Sequence, residues 1–282
     1  KIAKAFTKRP NIIVFSGAFH GRTLMTMSMT SKKAYAVGMG PFPDGVYRAQ
    51  FPYYYRNPEG MPQEAALDYY LNSIKDVFEQ CGPADSIAAI VVEPLQGEGG
   101  FIPAPIEWVK AVRKICDENG ILLVADEVQT GFCRTGRMFA TQYWEEAGVQ
   151  PDILATAKSI AAALKTIEIM ERDDLAGRSC EIGEKVSKRF NEWKEKYPVI
   201  GDVRGLGGMI GLEFVKDQES KEPYPEFSAA VIKGCAQKGL MIEGAGTYGN
   251  VIRFLAPLVM TDEQLEAGLD IYESVIKELL EK

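Results

Sequence analysis

The sequence predicts an α/β fold, with a mainly parallel sheet in a large domain and a smaller α+β domain at the C-terminus. From residue 11 to about 160, strand-like apolar runs alternate with amphipathic helical patterns. This alternation is typical of strand-helix-strand units around a parallel sheet. From about residue 175 the pattern changes to charged helices and alternating strands. We therefore place the large domain at 1–174 and the small domain at 175–282.

Apolar runs and helical spacing define the elements of the large domain. The residues at 87–92 and 121–125 are almost all apolar, as in strands buried on both faces. Further strands are predicted at 11–15 and in a short run from 152. Two helices are predicted with apolar faces: one over 64–78 (Leu67, Leu71, Ile74, Phe78) and one carrying Trp108, Val109, Val112 and Ile115.

The small domain is predicted to contain two strands and three helices. Its strands are expected at 209–215 and 251–255, and its first two helices at 182–196 and 227–237. Thr261, followed three residues later by Gln264, forms a capping box that begins a last helix. The apolar stripe of that helix consists of Leu265, Leu269, Tyr272, Ile276 and Leu279.

The glycine run at 205–211 could be mistaken for a dinucleotide-binding fingerprint. That fingerprint needs a helix after the glycines, whereas the residues that follow here have the pattern of a strand. We therefore interpret the run as a turn with close backbone packing.

Composition excludes several classes of function. The 282 residues are 46% hydrophobic and carry a net charge of −7, which argues against a nucleic-acid or anionic-membrane surface. No apolar stretch approaches the roughly 20 residues of a membrane span. The five cysteines are scattered singly, so we expect no metal site and no disulfide framework. A reducing cytoplasm is the predicted location.

Lys158 and Asp126 suggest the chemistry. Each follows a predicted strand, and the ends of parallel strands meet at one edge of a sheet. Taken alone, such a lysine is usually a solvated surface residue and such an aspartate often caps a turn. Together, an amine and a carboxylate suit pyridoxal phosphate: Lys158 forms a Schiff base with the aldehyde, and Asp126 keeps the ring nitrogen protonated.

Five segments, taken in order, resemble the class III pyridoxal-phosphate aminotransferases, which have the fold type I architecture. They are FHGRT at 19–23, EPLQGEGG at 93–100, DEVQTGFCRTG at 126–136, AKS at 157–159 and YGNVIR at 248–253. The last segment is similar to the 4-aminobutyrate aminotransferases rather than to the acetylornithine branch. The resemblance extends over essentially the whole chain.

The resemblance implies a cofactor site. Phe19 would stack on one face of the ring, Val128 would pack against the other, and Gln129 would hydrogen-bond the ring hydroxyl. Lys158 would also move the proton between substrate and cofactor as general acid and base. His20, the one histidine in the sequence, would lie beside the cofactor without a catalytic role.

It also implies a substrate site built from two arginines and a glutamate. Arg22 would bind the carboxylate remote from the reacting carbon, and Arg253 the α-carboxylate of glutamate. Glu98 would pair with Arg253 when the substrate lacks an α-carboxylate, as 4-aminobutyrate does. Glu93 would support this site from behind.

Family members are longer than this chain. They carry a phosphate-binding cup before the segment that begins at Lys1, and a loop after Lys158 that reaches the partner's phosphate. We therefore expect further residues before Lys1 and near 159–163. The same loop predicts a homodimer, or a dimer of dimers.

The function expected is transfer of the amino group of 4-aminobutyrate, or of a similar ω-amine, to 2-oxoglutarate, giving succinate semialdehyde and glutamate. Two alternatives stay open: an acetylornithine or other ω-amine aminotransferase, and a non-catalytic binding descendant of the fold.

Overall fold

The fold is described from a computed structural model, which covers residues 1–31, 33–157 and 160–281. The chain divides into two compact units. Unit 1 comprises 1–99, 103–131 and 139–157; unit 2 comprises 100–102, 132–138 and the described part of 158–282. The division predicted from sequence, at residue 174, stays a prediction. Within the described ranges, no helix is both long enough and apolar enough to cross a membrane.

Unit 1 is built on a five-stranded sheet whose described strand pairs are all parallel, in the order β2-β1-β3-β6-β7. The strands of this sheet are β1 (Asn11–Phe15), β2 (Val46–Ala49), β3 (Ile87–Val92), β6 (Leu122–Asp126) and β7 (Ile153–Ala155); the short strands β4 (Leu95–Gln96) and β5 (Ile102–Pro103) lie between β3 and β6 in the sequence. The helices before residue 157 are α1 (Ile2–Thr7), α2 (Leu24–Met29), α3 (Lys33–Ala36), α4 (Gln63–Gln80), α5 (Ile106–Asn119) and α6 (Thr141–Glu146).

The core of unit 1 centres on β3, in which all six residues are buried. This accounts for its unbroken apolar sequence, because a parallel strand with both faces covered has no polar positions. Phe15 packs edge-to-face on Trp108 of α5, with ring centroids 4.9 Å apart. The predicted α/β class and the parallel pairing of β6 with β7 are thereby confirmed.

Two predicted helix faces needed correction. In α4 the buried residues are Ala66, Tyr70, Ile74 and Val77, whereas Leu67, Leu71 and Phe78 are only half-buried. The buried stripe is rotated because Tyr70 turns inward and donates a hydrogen bond from its hydroxyl to Asn57 Oδ1, at 3.0 Å. In α5 the stripe is completed by Cys116, and Ile115 is half-buried.

Unit 2 contains an antiparallel sheet in the order β10-β11-β9-β8. Its strands are β8 (Ile200–Leu206), β9 (Met209–Phe214), β10 (Glu243–Ala245) and β11 (Val251–Phe254), and its helices are α7 (Ile160–Arg172), α8 (Leu175–Lys196), α9 (Pro225–Gln237) and α10 (Asp262–Leu280). The predicted turn is present at Gly207 and Gly208, between β8 and β9, whereas the rest of the run at 205–211 lies in the two strands. A Cβ on Gly205 would lie 1.9 Å from the carbonyl oxygen of Met209.

The core of unit 2 contains an aromatic cluster. Phe190 and Trp193 of α8 pack on Tyr272 of α10, with ring centroids 5.7 and 5.4 Å from that tyrosine. The predicted capping box is present: Thr261 Oγ1 accepts from the backbone N–H of Gln264 at 3.3 Å. The apolar stripe predicted for α10 is confirmed at four positions, while Leu279 is half-buried. These contacts fix the helices that support β11.

Candidate active site

Asp126 is the last residue of β6, and its carboxylate is held on two sides. Oδ1 accepts from the backbone N–H of Val128 at 3.1 Å, and Oδ2 lies 2.8 Å from His20 Nδ1. An ionised carboxylate only accepts, so His20 donates from Nδ1. The Asp126 side chain is 14% exposed and that of His20 is 2% exposed. Asp126 is therefore oriented at the sheet edge and can still meet a cationic partner.

The loop after β1 brings His20 to this carboxylate. The backbone N–H of His20 donates to Thr30 Oγ1 at 3.0 Å, and that hydroxyl donates to the carbonyl of Gly21 at 3.0 Å. Among the described residues, His20 Nε2 is buried without a hydrogen-bond partner. The side chain of His20 contacts Asp126, and sequence alone did not predict this contact.

Glu93, which follows β3, is a buried carboxyl that joins two loops. Its Oε1 accepts from the backbone N–H of Phe19 at 2.9 Å, and its Oε2 from that of Gly97 at 3.1 Å. Burial raises the pKa of Glu93 to about 7, while His20 and the two N–H donors oppose that rise. We call this arrangement the Glu93 clamp. It sets the position of the Phe19 loop relative to the loop that carries Glu98.

The loop after Asp126 offers an apolar surface and an amide. Val128 is 58% exposed, although large aliphatic side chains are usually buried. Gln129 lies over Gly97: a Cβ added to that glycine would be 1.2 Å from Gln129 Oε1. Both positions suit residues that contact a flat ring.

Glu127 holds this loop in place, a role that the sequence did not reveal. Its side chain is fully buried. It accepts from the Thr130 hydroxyl at 2.5 Å and from the backbone N–H groups of Ala140 and Thr141 at 3.1 and 2.7 Å. The carboxylate thus satisfies N–H groups at the start of α6. The only sign of this role in the sequence is that Glu127 directly follows Asp126, so that two acidic residues lie at the end of the strand.

Arg22 and Glu98 both contact Tyr35, which was not predicted. The guanidinium carbon of Arg22 lies 4.4 Å from the centre of the Tyr35 ring and 6.0 Å from that of Phe19. These distances are within cation–π range. The Tyr35 hydroxyl donates to Glu98 Oε2 at 3.4 Å. One tyrosine therefore brings together a cation and an anion that sequence assigned to substrate binding.

Arg253 belongs to unit 2 and has a local acidic partner. It lies on β11 directly opposite Glu243 of β10. Glu243 Oε2 accepts from Arg253 Nε at 3.1 Å and from Nη2 at 2.5 Å. Asn250 anchors the approach to β11 by donating to the carbonyl of Phe214 at 2.6 Å. The pairing of Arg253 with Glu98 stays a prediction.

Lys158 lies outside the described residues, as does the residue next to it at 159, so its role also stays a prediction. The strand before it is placed: Ala155, the last residue of β7, is the register partner of Asp126. The lysine thus follows a strand whose end lies beside the carboxylate.

The chain matches a known protein family. The family model described as aminotransferase class III matches residues 1–162 and 159–276. The chain therefore belongs to the class III aminotransferases and is a pyridoxal-phosphate-dependent aminotransferase.

Individual relatives agree with this assignment. A probable 4-aminobutyrate aminotransferase of Bacillus subtilis is 41% identical, with 98% of this chain and 71% of that protein covered. A 5-aminovalerate aminotransferase of Pseudomonas putida is 40% identical, with 99% and 72% covered. An amine transaminase structure from an uncultivated Pseudomonas species, with pyridoxal phosphate bound, is 27% identical over 98% of this chain and 71% of that one, with a TM-score of 0.87.

The described residues fit this cofactor. A carboxylate fixed at a strand end suits a pyridinium nitrogen, and an exposed valine next to it suits a ring face. The fold type I architecture predicted from sequence is confirmed by the fold and by the likeness to a transaminase structure.

Proposed function

We propose that this enzyme transfers the amino group of 4-aminobutyrate, or of a similar ω-amine, to 2-oxoglutarate, giving succinate semialdehyde and glutamate. The observation that carries the proposal is Arg22 stacked on Tyr35, with Glu98 on the hydroxyl of the same tyrosine. A guanidinium held beside Phe19 suits a substrate whose carboxylate is remote from its amine.

In this proposal Asp126 and Lys158 support the chemistry. Bound pyridoxal phosphate supplies a ring that withdraws electrons from the reacting carbon of the substrate. Asp126 holds a proton on the ring nitrogen, and His20 orients Asp126 through the Nδ1 hydrogen bond. Lys158 holds the cofactor and then moves the proton at the substrate carbon.

Phe19, Val128 and Gln129 position the cofactor, and the Glu93 clamp positions Phe19. Arg22 binds the carboxylate remote from the reacting carbon, in the bidentate geometry that a guanidinium offers. Arg253 binds the α-carboxylate of glutamate. Glu98 offsets the positive charge of Arg253 when the bound substrate has no carboxylate there.

Trapping tests the central assignment. Holoenzyme treated with borohydride and digested should yield the reduced cofactor on the peptide that contains Lys158. Modification of another lysine would contradict the assignment. Failure of the purified protein to develop a visible absorption band with added pyridoxal phosphate would instead favour the non-catalytic alternative.

A second substrate, 5-aminovalerate, is supported by the name of the relative from Pseudomonas putida. Values of kcat/KM for 4-aminobutyrate, 5-aminovalerate and acetylornithine, each with 2-oxoglutarate, rank the candidates. We expect the two ω-amino acids to exceed acetylornithine. The reverse order would place the enzyme in the acetylornithine branch.

We further propose that the enzyme is a homodimer of the cytoplasm. The support for a dimer is family membership, and the support for the location is the single, unpaired pattern of the five cysteines. Sedimentation of active holoenzyme at micromolar concentration tests the dimer, and a monomer with full activity would contradict it.

A further inference from the structure

Glu243 places a second carboxylate against the arginine that is proposed to bind the α-carboxylate of glutamate. The two side chains face each other across the β10–β11 ladder, where Glu243 and Arg253 are register partners. Residues directly opposite in an antiparallel pair project to the same face, so the contact is built into the sheet.

Glu243 occupies hydrogen-bond donors of Arg253 that a substrate carboxylate could also use. A single oxygen, Oε2, accepts from both Nε and Nη2 of Arg253, at 3.1 and 2.5 Å. This edge of a guanidinium is also one that a substrate carboxylate uses when it binds with two hydrogen bonds. An α-carboxylate that binds along this edge therefore competes with Glu243 for the same donors.

The burial of the two partners is unequal. The Arg253 side chain is 15% exposed and that of Glu243 is 72% exposed. A mostly buried guanidinium is costly to leave without an anion. An exposed glutamate can move into water at little cost, because exposed ion pairs contribute only about 0.2–1 kcal/mol.

We propose that Glu243 is a specificity-determining residue, a resident counter-ion that neutralises Arg253 when the substrate has no α-carboxylate and is displaced when glutamate binds. The inference rests on the proposed function, in which Arg253 binds that carboxylate. It adds a carboxylate from the strand next to Arg253 to the role proposed for Glu98. Glu243 thereby weakens dicarboxylate binding relative to ω-amino acid binding.

The test compares Glu243→Gln with the parent holoenzyme. The probe is glutarate, a dicarboxylate that lacks the reacting amine, whose dissociation constant is measured by calorimetry. Removal of the competing charge should tighten glutarate binding by about two- to five-fold. The ratio of kcat/KM for glutamate to that for 4-aminobutyrate should rise by a similar factor.

Glu222→Gln is the matched control. Glu222 is another exposed glutamate of unit 2 and pairs with Lys216 at 2.5 Å, with side chains 57% and 50% exposed. The Glu222→Gln substitution removes one negative charge, as Glu243→Gln does, but alters neither Arg253 nor β10. A gain in glutarate affinity equal in the two variants, or a loss in Glu243→Gln, overturns the proposal.

Arg253→Ala separates this inference from the proposed function. Loss of glutarate affinity in Arg253→Ala, without a gain in Glu243→Gln, overturns the role of Glu243 alone. Unchanged glutarate affinity in Arg253→Ala overturns the assignment of Arg253 and the role of Glu243 with it. If both assignments hold, Glu243→Gln adds nothing in the Arg253→Ala background, because the two residues act on one interaction.

Discussion

Glu93→Gln should change how protein stability depends on pH. Burial raises the pKa of Glu93 from its ordinary value of 4.5 to about 7. Between these values the folded protein holds the Glu93 proton more tightly than the unfolded chain does. The stability from that proton is complete below pH 4.5 and is lost as pH rises through about 7. The rise in the pKa of Glu93 from 4.5 to about 7 corresponds to about 3 kcal/mol of unfolding free energy.

The assay is denaturant unfolding of the parent and of Glu93→Gln across this pH range. Glutamine does not titrate, but its amide can accept from only one of the two N–H groups in the Glu93 clamp. That loss costs about 1 kcal/mol at every pH. As pH rises from about 4.5 to above 7, the unfolding free energy of the parent should therefore fall relative to that of Glu93→Gln, by about 3 kcal/mol in total.

Glu107→Gln provides the control, because this glutamate is 71% exposed and pairs with Lys110 on the surface of α5. Its stability curve should run parallel to that of the parent across the range. If the Glu93→Gln curve also runs parallel, then Glu93 titrates alike in the folded and unfolded states. In that case the reasoning from burial is refuted.

Three further substitutions test the site. Gly97→Ala should displace Gln129, whose Oε1 would lie 1.2 Å from the new Cβ, and should weaken cofactor affinity in equilibrium dialysis; an unchanged dissociation constant would contradict the placement. His20→Ala should lower kcat by about ten-fold or more and shift the absorption spectrum of the holoenzyme, because Asp126 loses its 2.8 Å partner; an unaltered spectrum would mean that the histidine is only structural. Glu98→Gln should slow the 4-aminobutyrate half-reaction by only about two- to five-fold, because Glu243 still pairs with Arg253, and should nearly spare the glutamate half-reaction. Equal losses in single-turnover measurements would end the proposed switch.

The elements predicted best from the sequence are those whose apolar residues form an uninterrupted run. Strands β1 and β3 were placed with correct ends, because uninterrupted apolar runs mark strands covered on both faces. Strand β2 was missed: Val46–Ala49 contains an arginine and has only one fully buried residue. Its place in the sheet comes from parallel pairing with β1. Local pattern carries no information about such pairing.

The same limit applies to the site. Asp126, Arg22 and Arg253 could be nominated because motifs mark them. Tyr35 and Glu243 could not. Tyr35 contacts Glu98, which is far away in sequence, and Glu243 meets Arg253 only because the register of the β10–β11 ladder places them opposite each other. The partner of a charged residue depends on strand register and loop path, which emerge only in the folded chain.

The Glu93 clamp has a consequence for how such an enzyme can diversify. Both of its donors are backbone N–H groups, from Phe19 and Gly97. The hydrogen bonds of the clamp therefore do not depend on the side chains at nearby loop positions such as Arg22 and Glu98. In the proposed function, where Arg22 and Glu98 bind substrate, substitutions there would alter which substrate is preferred while the frame that aligns the loops persists. New specificities are thus accessible in single steps, without simultaneous repair of the scaffold.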